Sequence, residues 1–472
     1  MFVGRRYELR RLEEAYASPK GELVVLYGRR RIGKSHLIAE FMKGKSRAYS
    51  FEALEGEDTA VQIRHFTESL RRQCSDPVMK HVSFSRWEDV FSFMTERLFG
   101  GSSAPRPVVF FDEFQWMAAG RNRLVSLLKY TWDTQWKSRR VLLILCGSVA
   151  SFMVNKVVHS KALYGRIGDE ILLKGLPPDE AALLFRGRRG PEEILKYLLV
   201  FGGVPKYLEE IRLDRSFAQN INRLCFTRGA PMLQEVGKMF FSQFREAETY
   251  RRIAVLLKDR ALTLQEIGRR IGIPSGGGLW KYVENLENAE IVRPIVPFGR
   301  ETDSKLRRWG LSDEFLCFYF RYMEPALRTI QEADSPHLFE RLTTESFDVW
   351  LGLAFERFCL KHAGFLARKM GFENEMISAS PFFGRGVPGF QIDLLYKRSD
   401  KVITLCEIKH QNDPVTTKII PEVERKCALL PLPRGHTLEK ALIGVHGPDK
   451  ALLESGFFHH SLTITDMFCI EK

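Results

Sequence analysis

Cysteine is sparse in this chain and scattered. The eight thiols stand at 74, 146, 225, 317, 359, 406, 427 and 469, and no two have Cys-x-x-Cys spacing. This pattern argues against a disulfide-stapled scaffold and gives no ligand set for zinc. Cys146 and Cys406 sit inside apolar runs, which suits buried, reduced thiols and a cytoplasmic location. Long hydrophobic runs are missing too: none approaches the ~18 residues that span a bilayer. The opening Met1-Phe2-Val3-Gly4-Arg5-Arg6 lacks the apolar core and cleavage site of a signal peptide, so no membrane partner is expected. Acidic residues are outnumbered by basic ones, 58 against 71, for a net charge of +13. That excess favours a polyanionic partner, nucleic acid first, although solubility alone would produce it as well. What is present, 44% hydrophobic and 27% charged residues over 472, is the make-up of a soluble globular chain. It is long enough for roughly three domains.

One stretch organises the rest. The apolar run Leu23-Val24-Val25-Leu26-Tyr27 leads into Gly28-Arg29-Arg30-Arg31-Ile32-Gly33-Lys34-Ser35, after which His36 to Phe41 reads as a helix. Strand, GxxxxGKS loop and helix is the P-loop pattern. Glycines let successive backbone N–H groups point inward at phosphate oxygens, and the helix N-terminus adds partial positive charge. Lys34 is expected to reach the β- and γ-phosphates, and Ser35 to hold Mg²⁺. A Gly-rich turn in an ordinary α/β domain is the plainer alternative.

Further on, Pro107-Val108-Val109-Phe110-Phe111-Asp112-Glu113 reads as a buried parallel strand ending in two carboxylates. Asp112 is placed to bind Mg²⁺ through water, and Glu113 to polarise an attacking water; structural carboxylates are the alternative. Val141 to Gly147 is a third buried strand. Ser148 after it suits either a γ-phosphate sensor or a helix N-cap. In Leu163-Tyr164-Gly165-Arg166, the guanidinium of Arg166 is a candidate phosphate contact, in cis or across subunits of a homo-oligomer, or else a surface charge.

Phe2-Val3-Gly4-Arg5, the GRRRIGKS loop, Phe110-Phe111-Asp112-Glu113 and Leu163-Tyr164-Gly165-Arg166 together resemble the archaeal-type ATPase family. That family belongs to the signal-transduction branch (STAND) of AAA+-like P-loop ATPases and occurs in bacteria as well. The resemblance implies an adenine pocket near Val3, Gly4 and Arg5, Walker A and B motifs as assigned above, and ATP as the nucleotide. Leu173 to Ala181 and Phe201 to Leu208 resemble the family's helical lid.

From Glu248 the pattern changes to short helices. Thr263 and Glu266 have capping-box spacing, Gly272 to Gly278 forms a turn, and a third helix runs through Leu279, Tyr282, Val283, Leu286 and Ala289. Two strands follow, Ile291 to Val296 and Lys305 to Leu311. Three helices and a hairpin describe a winged helix-turn-helix. The third helix offers only Lys281, Glu284, Asn285, Glu287 and Asn288 as polar groups. Phosphate contact is therefore expected from Arg269, Arg270, Arg293, Arg300, Lys305, Arg307 and Arg308, with a protein-docking or spacing module as the alternative.

The stretch from Pro325 to Pro336 reads as a connector. Past it, residues 347–360 have helical apolar spacing and carry Glu356. Two strands then flank a turn at 397–401: Gln391-Ile392-Asp393-Leu394-Leu395-Tyr396, and Val402 to Lys409 ending Glu407-Ile408-Lys409. Residues two apart on a strand face one way, so Glu407 and Lys409 share a face, and the hairpin brings Asp393 beside Glu407. The acids are then placed to hold Mg²⁺ while the lysine orients water and offsets phosphate charge. Glu-x-Lys alone is common, and Glu424-Arg425-Lys426 has it without a buried strand before it. The full set Glu356, Asp393, Glu407 and Lys409 resembles the restriction-endonuclease-like D…(D/E)xK site; an exposed ion-pair network is the plainer reading.

The expectation is an α/β chain in four parts. These are a P-loop ASCE/AAA+-like parallel sheet (1–170), a helical lid (171–244), a winged helix-turn-helix (245–325) and an α/β restriction-endonuclease-like domain (326–472). The function expected is an ATP-hydrolysing switch that binds DNA and cleaves it with Mg²⁺. The alternative is a signalling or transcription-regulating ATPase that binds nucleic acid or protein without cutting.

Overall fold

The computed structural model describes residues 2–74, 79, 81–100, 105–119, 123–147, 152–244, 246–296, 298–299, 306–332, 336–384 and 389–469. They divide into two compact units, residues 1–174 and 175–472.

The first unit is built on five strands: β1 (Glu22–Tyr27), β2 (Ala48–Glu52), β3 (Val108–Asp112), β4 (Leu142–Gly147) and β5 (Asp169–Leu172). They lie in the order β2-β3-β4-β1-β5, all parallel. The three central strands read as continuous apolar runs because helices cover both faces, and β3 and β4 are buried along their whole length. At the edges, β2 and β5 carry exposed positions between buried ones. Aromatic rings fill one side: Phe51 stacks on Phe66 with centroids 4.0 Å apart, and buried Trp136 donates its Nε1–H to Thr95 Oγ1 at 2.7 Å. Arg106 ties the base of this unit together. Its guanidinium donates to the carbonyls of Tyr16, Ser18, Lys20 and Val141, and burial pulls its pKa down to about 10. The expected boundary at residue 170 cuts through β5. Because that strand pairs with β1, the core continues to residue 174.

The second unit opens with helices Pro178–Ala182, Pro191–Phe201 and Pro205–Glu209, each with proline in its first turn, where a missing N–H costs nothing. Helices Ala247–Leu256, Leu264–Ile271 and Gly277–Asn288 follow. They are joined by a small antiparallel sheet in which β8 (Arg308–Leu311) lies between β6 (Leu262–Thr263) and β7 (Val292–Ile295). The expected capping box is present: Thr263 Oγ1 accepts from the Glu266 N–H, and the Glu266 carboxylate accepts from the Thr263 N–H. The stretch expected as a connector is partly helical, through Leu327–Glu332, because Ile330 is fully buried.

The last part is a mixed sheet of β9 (Met376–Gly384), β10 (Phe390–Arg398), β11 (Val402–Lys409), β12 (Thr437–Gly444) and β13 (His460–Thr463) in chain order. Its first three strands pair antiparallel and its last two join in parallel. Helix Phe347–Lys361 packs on β10 and β11, and helix Ile420–Leu429 on β10.

One polar contact joins three parts of this unit. Lys361 Nζ donates to Glu314 Oε2 at 2.7 Å, and the Glu314 carboxylate sits against Gly202, whose φ of 62° is the left-handed region. A Cβ at Gly202 would collide with that carboxylate. Burial pushes the Glu314 carboxyl up from its ordinary pKa, against the pull of Lys361. Lys361→Ala strands a buried carboxylate and is expected to cost about 3 kcal/mol, the low end for a buried pair because Lys361 reaches solvent. Joint replacement by Glu314→Gln and Lys361→Met is expected to cost less, both read from urea unfolding of the full chain.

Candidate functional site

The first site forms where the carboxyl ends of β1 and β3 meet the loop from Gly28 to Gly33. The loop turns tightly: Arg31 (φ 68°) and Gly33 (φ 94°) are left-handed, and a Cβ at Gly28 would run into the Leu173 carbonyl oxygen. Ile32 is buried and Arg30 faces solvent. Lys34 opens helix Lys34–Met42 and is buried, its Nζ donating to the carbonyls of Gly28 and Arg29 at 3.0 Å each. The ammonium is thus curled over the loop that a phosphate would enter. Ser35 Oγ donates to Asp112 Oδ2 at 2.6 Å, joining the two residues expected to flank Mg²⁺. Hard oxygen donors of this kind suit that ion, which keeps most of its waters and needs one or two protein ligands.

Glu113 sits at φ 50°, a strained conformation for a non-glycine residue, and Gln115 donates to its carboxylate. Gln115 is a partner the sequence reading missed. At the amino end, Val3 and Gly4 are half-buried, Gly4 has φ 66°, and Arg5 is buried. Arg5 donates to the Ile32 carbonyl at 2.9 Å and lies 3.3 Å from Glu8, so the N-terminal motif is fastened to the phosphate loop. Arg29 is buried as well. Arg166 is placed elsewhere: its Nε and Nη2 grip the two oxygens of Asp133 at 2.7 and 2.8 Å, and that bidentate contact holds the Asp133 carboxyl down at about 2. Ser148 lies outside the described residues.

A five-stranded parallel sheet of this order, carrying this loop and a serine–aspartate pair at its carboxyl edge, is the core of a P-loop ATPase. Residues 2–211 match the model of an ATPase domain predominantly from Archaea, and this part of the chain is an ATP-binding domain of that archaeal type. An uncharacterized protein of Methanocaldococcus jannaschii is 28% identical over 445 residues, covering 92% of this chain and 93% of that protein. An uncharacterized ATP-binding protein of the same organism is 49% identical over 45 residues, 10% of this chain and 76% of that protein. Among solved structures, the Walker-type ATPase of Pyrococcus abyssi aligns with a TM-score of 0.48 and 18% identity, over 68% of this chain and 96% of that chain. The ORC2 protein of Aeropyrum pernix, in ADPNP-ADP complexes, aligns with a TM-score of 0.42 and 15% identity, over 69% and 94%. No helix among the described residues is long and apolar enough to cross a membrane.

The second site lies at the end of the β10–β11 hairpin. Leu394 pairs with Cys406, so the antiparallel register sets Asp393 opposite Glu407, and Asp393 Oδ2 accepts from the Ile408 N–H at 3.4 Å. Glu407 has no exposed surface. Lys409 Nζ lies 2.8 Å from one of its oxygens, and Lys426 Nζ donates to the other at 2.7 Å. Lys426 comes from helix Ile420–Leu429 and belongs to the second Glu-x-Lys string, which sequence spacing alone had set aside. Burial works to lower its pKa, but the bond to Glu407 lifts it above the ordinary lysine value.

Helix Phe347–Lys361 brings Glu356 into the same field. Burial first, then the charge of Asp393, push the Glu356 carboxyl up to about 7. Burial and Glu407 raise Asp393 likewise. An exposed ion-pair network does not describe this place, because Glu407 and Lys426 are buried. Among the described residues no three His, Cys, Asp or Glu side chains stand together as a ready metal cage. At the expected Asp393–Glu407 metal pair, both Glu407 oxygens already face ammonium groups. Asp393 and Glu356 are the less neutralised carboxylates, and two such donors suffice for Mg²⁺.

In the three-helix part, several expected contacts are redirected. Asn285 points inward and donates to Tyr250 Oη at 2.7 Å. Glu287 accepts from Arg307 and from the Trp309 indole, and Arg308 pairs with Glu266. Arg293 turns its Nη1 inward without a hydrogen-bond partner, and burial pulls its pKa down to about 10. Arg300 and Lys305 lie outside the described residues.

The Glu356 shift sets a pH dependence. An acid whose folded pKa lies above its unfolded value binds its proton more tightly when folded, so stability falls as pH rises from about 4.5 to about 7. Without divalent cations, the loss is expected to be on the order of 2 kcal/mol once solvent screening is allowed for. Glu356→Gln is expected to flatten that part of the profile, read from melting temperatures between pH 4 and pH 8.

Proposed function

We propose that this protein is an ATP-controlled, Mg²⁺-dependent phosphodiesterase that acts on DNA through its C-terminal sheet. The observation that carries the reading is the convergence of Glu356, Asp393, Glu407 and Lys409 on one end of the β10–β11 hairpin, with Glu356 pushed up to about 7. Buried carboxylates that raise one another's pKa mark a place where a cation relieves repulsion. Asp393 and Glu356 would hold Mg²⁺, which when bound polarises a phosphoryl oxygen and lowers the pKa of its water. Lys409 offers an ammonium to the phosphate, and Lys426 pairs with Glu407 and orients it. At the other site Lys34 would meet the β- and γ-phosphates, Ser35 and Asp112 would flank Mg²⁺, and Glu113, positioned by Gln115, would accept the proton of the attacking water.

The second reading is a signalling or gene-regulating ATPase that binds DNA without cutting. The two ammonium groups on Glu407 favour it, since they compete with a cation for those oxygens. The three-helix part supplies the phosphate contacts in either reading, with Arg269 and Arg270 both exposed.

Purified full-length protein with Mg²⁺ and ATP is expected to nick or cut DNA. Asp393→Asn and Lys409→Ala are expected to lose at least about a hundredfold in rate, the scale of one electrostatic catalytic contact. Intact DNA under every combination of Mg²⁺, Mn²⁺ and nucleotide overturns cleavage, and a salt-sensitive band shift of that uncut DNA supports the second reading. Separately, Lys34→Ala is expected to abolish ATP binding, whereas Glu113→Gln is expected to bind ATP and fail to hydrolyse it. Undiminished ATP binding by Lys34→Ala overturns the assignment of the phosphate loop.

A further inference from the structure

A basic pocket lies in the three-helix part of the second unit. Helices Ala247–Leu256 and Leu264–Ile271 flank an open pocket of about 280 Å³ on one side of their contact, with Arg252 and Arg270 exposed at its mouth. Arg251, Arg252 and Arg270 line it with a single carboxylate, Glu324, so three guanidinium groups face one negative charge. Val255 and Leu256 supply an aliphatic wall.

The arginines are held differently. Arg251 pairs with Glu324 and lies 3.8 Å from Glu248. Arg252 donates to the Ile271 carbonyl at 3.3 Å, which caps the end of the second helix and fixes its fork at the cavity edge. Arg270 makes no hydrogen bond or ion pair to any described residue. Glu248 beside Arg251 and Glu266 near Arg270 offset part of the charge, but the lining itself sets three guanidinium groups against one carboxylate, which favours an anion with several acceptor oxygens. A phosphomonoester carries close to two charges at neutral pH and three acceptor oxygens, and arginine forks recognise it in bidentate fashion. The volume falls just below the usual range for pockets that engulf a drug-sized ligand, which suits a phosphate with a sugar attached.

We infer that this cavity binds a terminal phosphomonoester on a sugar, between Arg252 and Arg270, with Arg251 and Glu324 at its rim. The ligand is a free sugar phosphate or nucleotide, or the 5′-phosphorylated end of a nucleic acid; the phosphomonoester is common to both. The site does not depend on cleavage at Asp393 and Glu407.

The test uses the full chain with two probes: ribose 5-phosphate by calorimetry, and a short single-stranded oligonucleotide with a 5′-phosphate or a 5′-hydroxyl by fluorescence anisotropy. Saturable binding is expected for at least one phosphomonoester probe, and the responding probe identifies the source. Arg270→Ala is expected to weaken it at least about tenfold, the value of one charge-assisted contact, while Lys450→Ala, an exposed cation in the C-terminal part, changes it less than about twofold. Because Arg270 is exposed and makes no hydrogen bond or ion pair to a described residue, its replacement is expected to change the melting temperature little; Arg252→Ala serves as a second variant. Equal affinity for the 5′-phosphate and 5′-hydroxyl oligonucleotides with no binding of ribose 5-phosphate overturns the inference, and so does undiminished affinity in Arg270→Ala.

Discussion

Ser35 Oγ and Asp112 Oδ2 meet at 2.6 Å although they lie 77 residues apart, and most of the first unit exists to make that contact possible. Parallel pairing with β4 places the carboxyl ends of β1 and β3 on one edge of the sheet, with β4 between them. Parallel strands need covered faces, which is why their sequences are apolar to the last residue and turn polar only where the chain leaves the sheet. Polar groups therefore gather at that edge. Lys34, Ser35, Asp112 and Glu113 are neighbours because one sheet delivers them all.

The C-terminal site solves a different problem. Here a carboxylate with no exposed surface is held inside the protein, which is tolerable only with strong partners. Lys409 and Lys426 provide them from a strand and a helix. The result is a cluster of unequal acids: Glu407 meets an ammonium on either side, while burial first, and then the charge of Glu407 on Asp393 and of Asp393 on Glu356, push the other two up in pKa. Unequal acids in one cluster leave one carboxylate structural and Glu356, pushed up to about 7, able to exchange a proton near neutral pH.

Much of this was legible before any coordinates. The runs Leu23 to Tyr27, Pro107 to Phe111 and Val141 to Cys146 announced buried parallel strands, and the Asp393–Glu407 pairing followed from counting around the turn at 399–400. Other features left weaker signals. β9 and β12 are weak signals because three positions of β9 are exposed and the first half of β12 is not fully buried, so their apolar positions are diluted by Ser, Glu and Lys. Lys426 could be seen as a motif but not as a partner, because local spacing does not say which strand a helix packs on. The cations Arg307 and Arg308 read as free charges, whereas folding brings Glu287 and Glu266 against them. Long-range pairing of this kind has no period and no local composition to reveal it.

The small hub at Gly202 has a mechanical side. Helix Pro191–Phe201 ends in a turn pressed on Glu314, Glu314 holds Lys361, and Lys361 is the last residue of the helix that carries Glu356. Glu356 and Lys361 are five residues apart, about 7.5 Å along the axis. With no Cβ at residue 202 the turn touches the carboxylate directly, so there is no side chain to flex and absorb a displacement. The three elements thus form one continuous chain of contacts from the foot of the Pro191–Phe201 helix to the helix that carries Glu356.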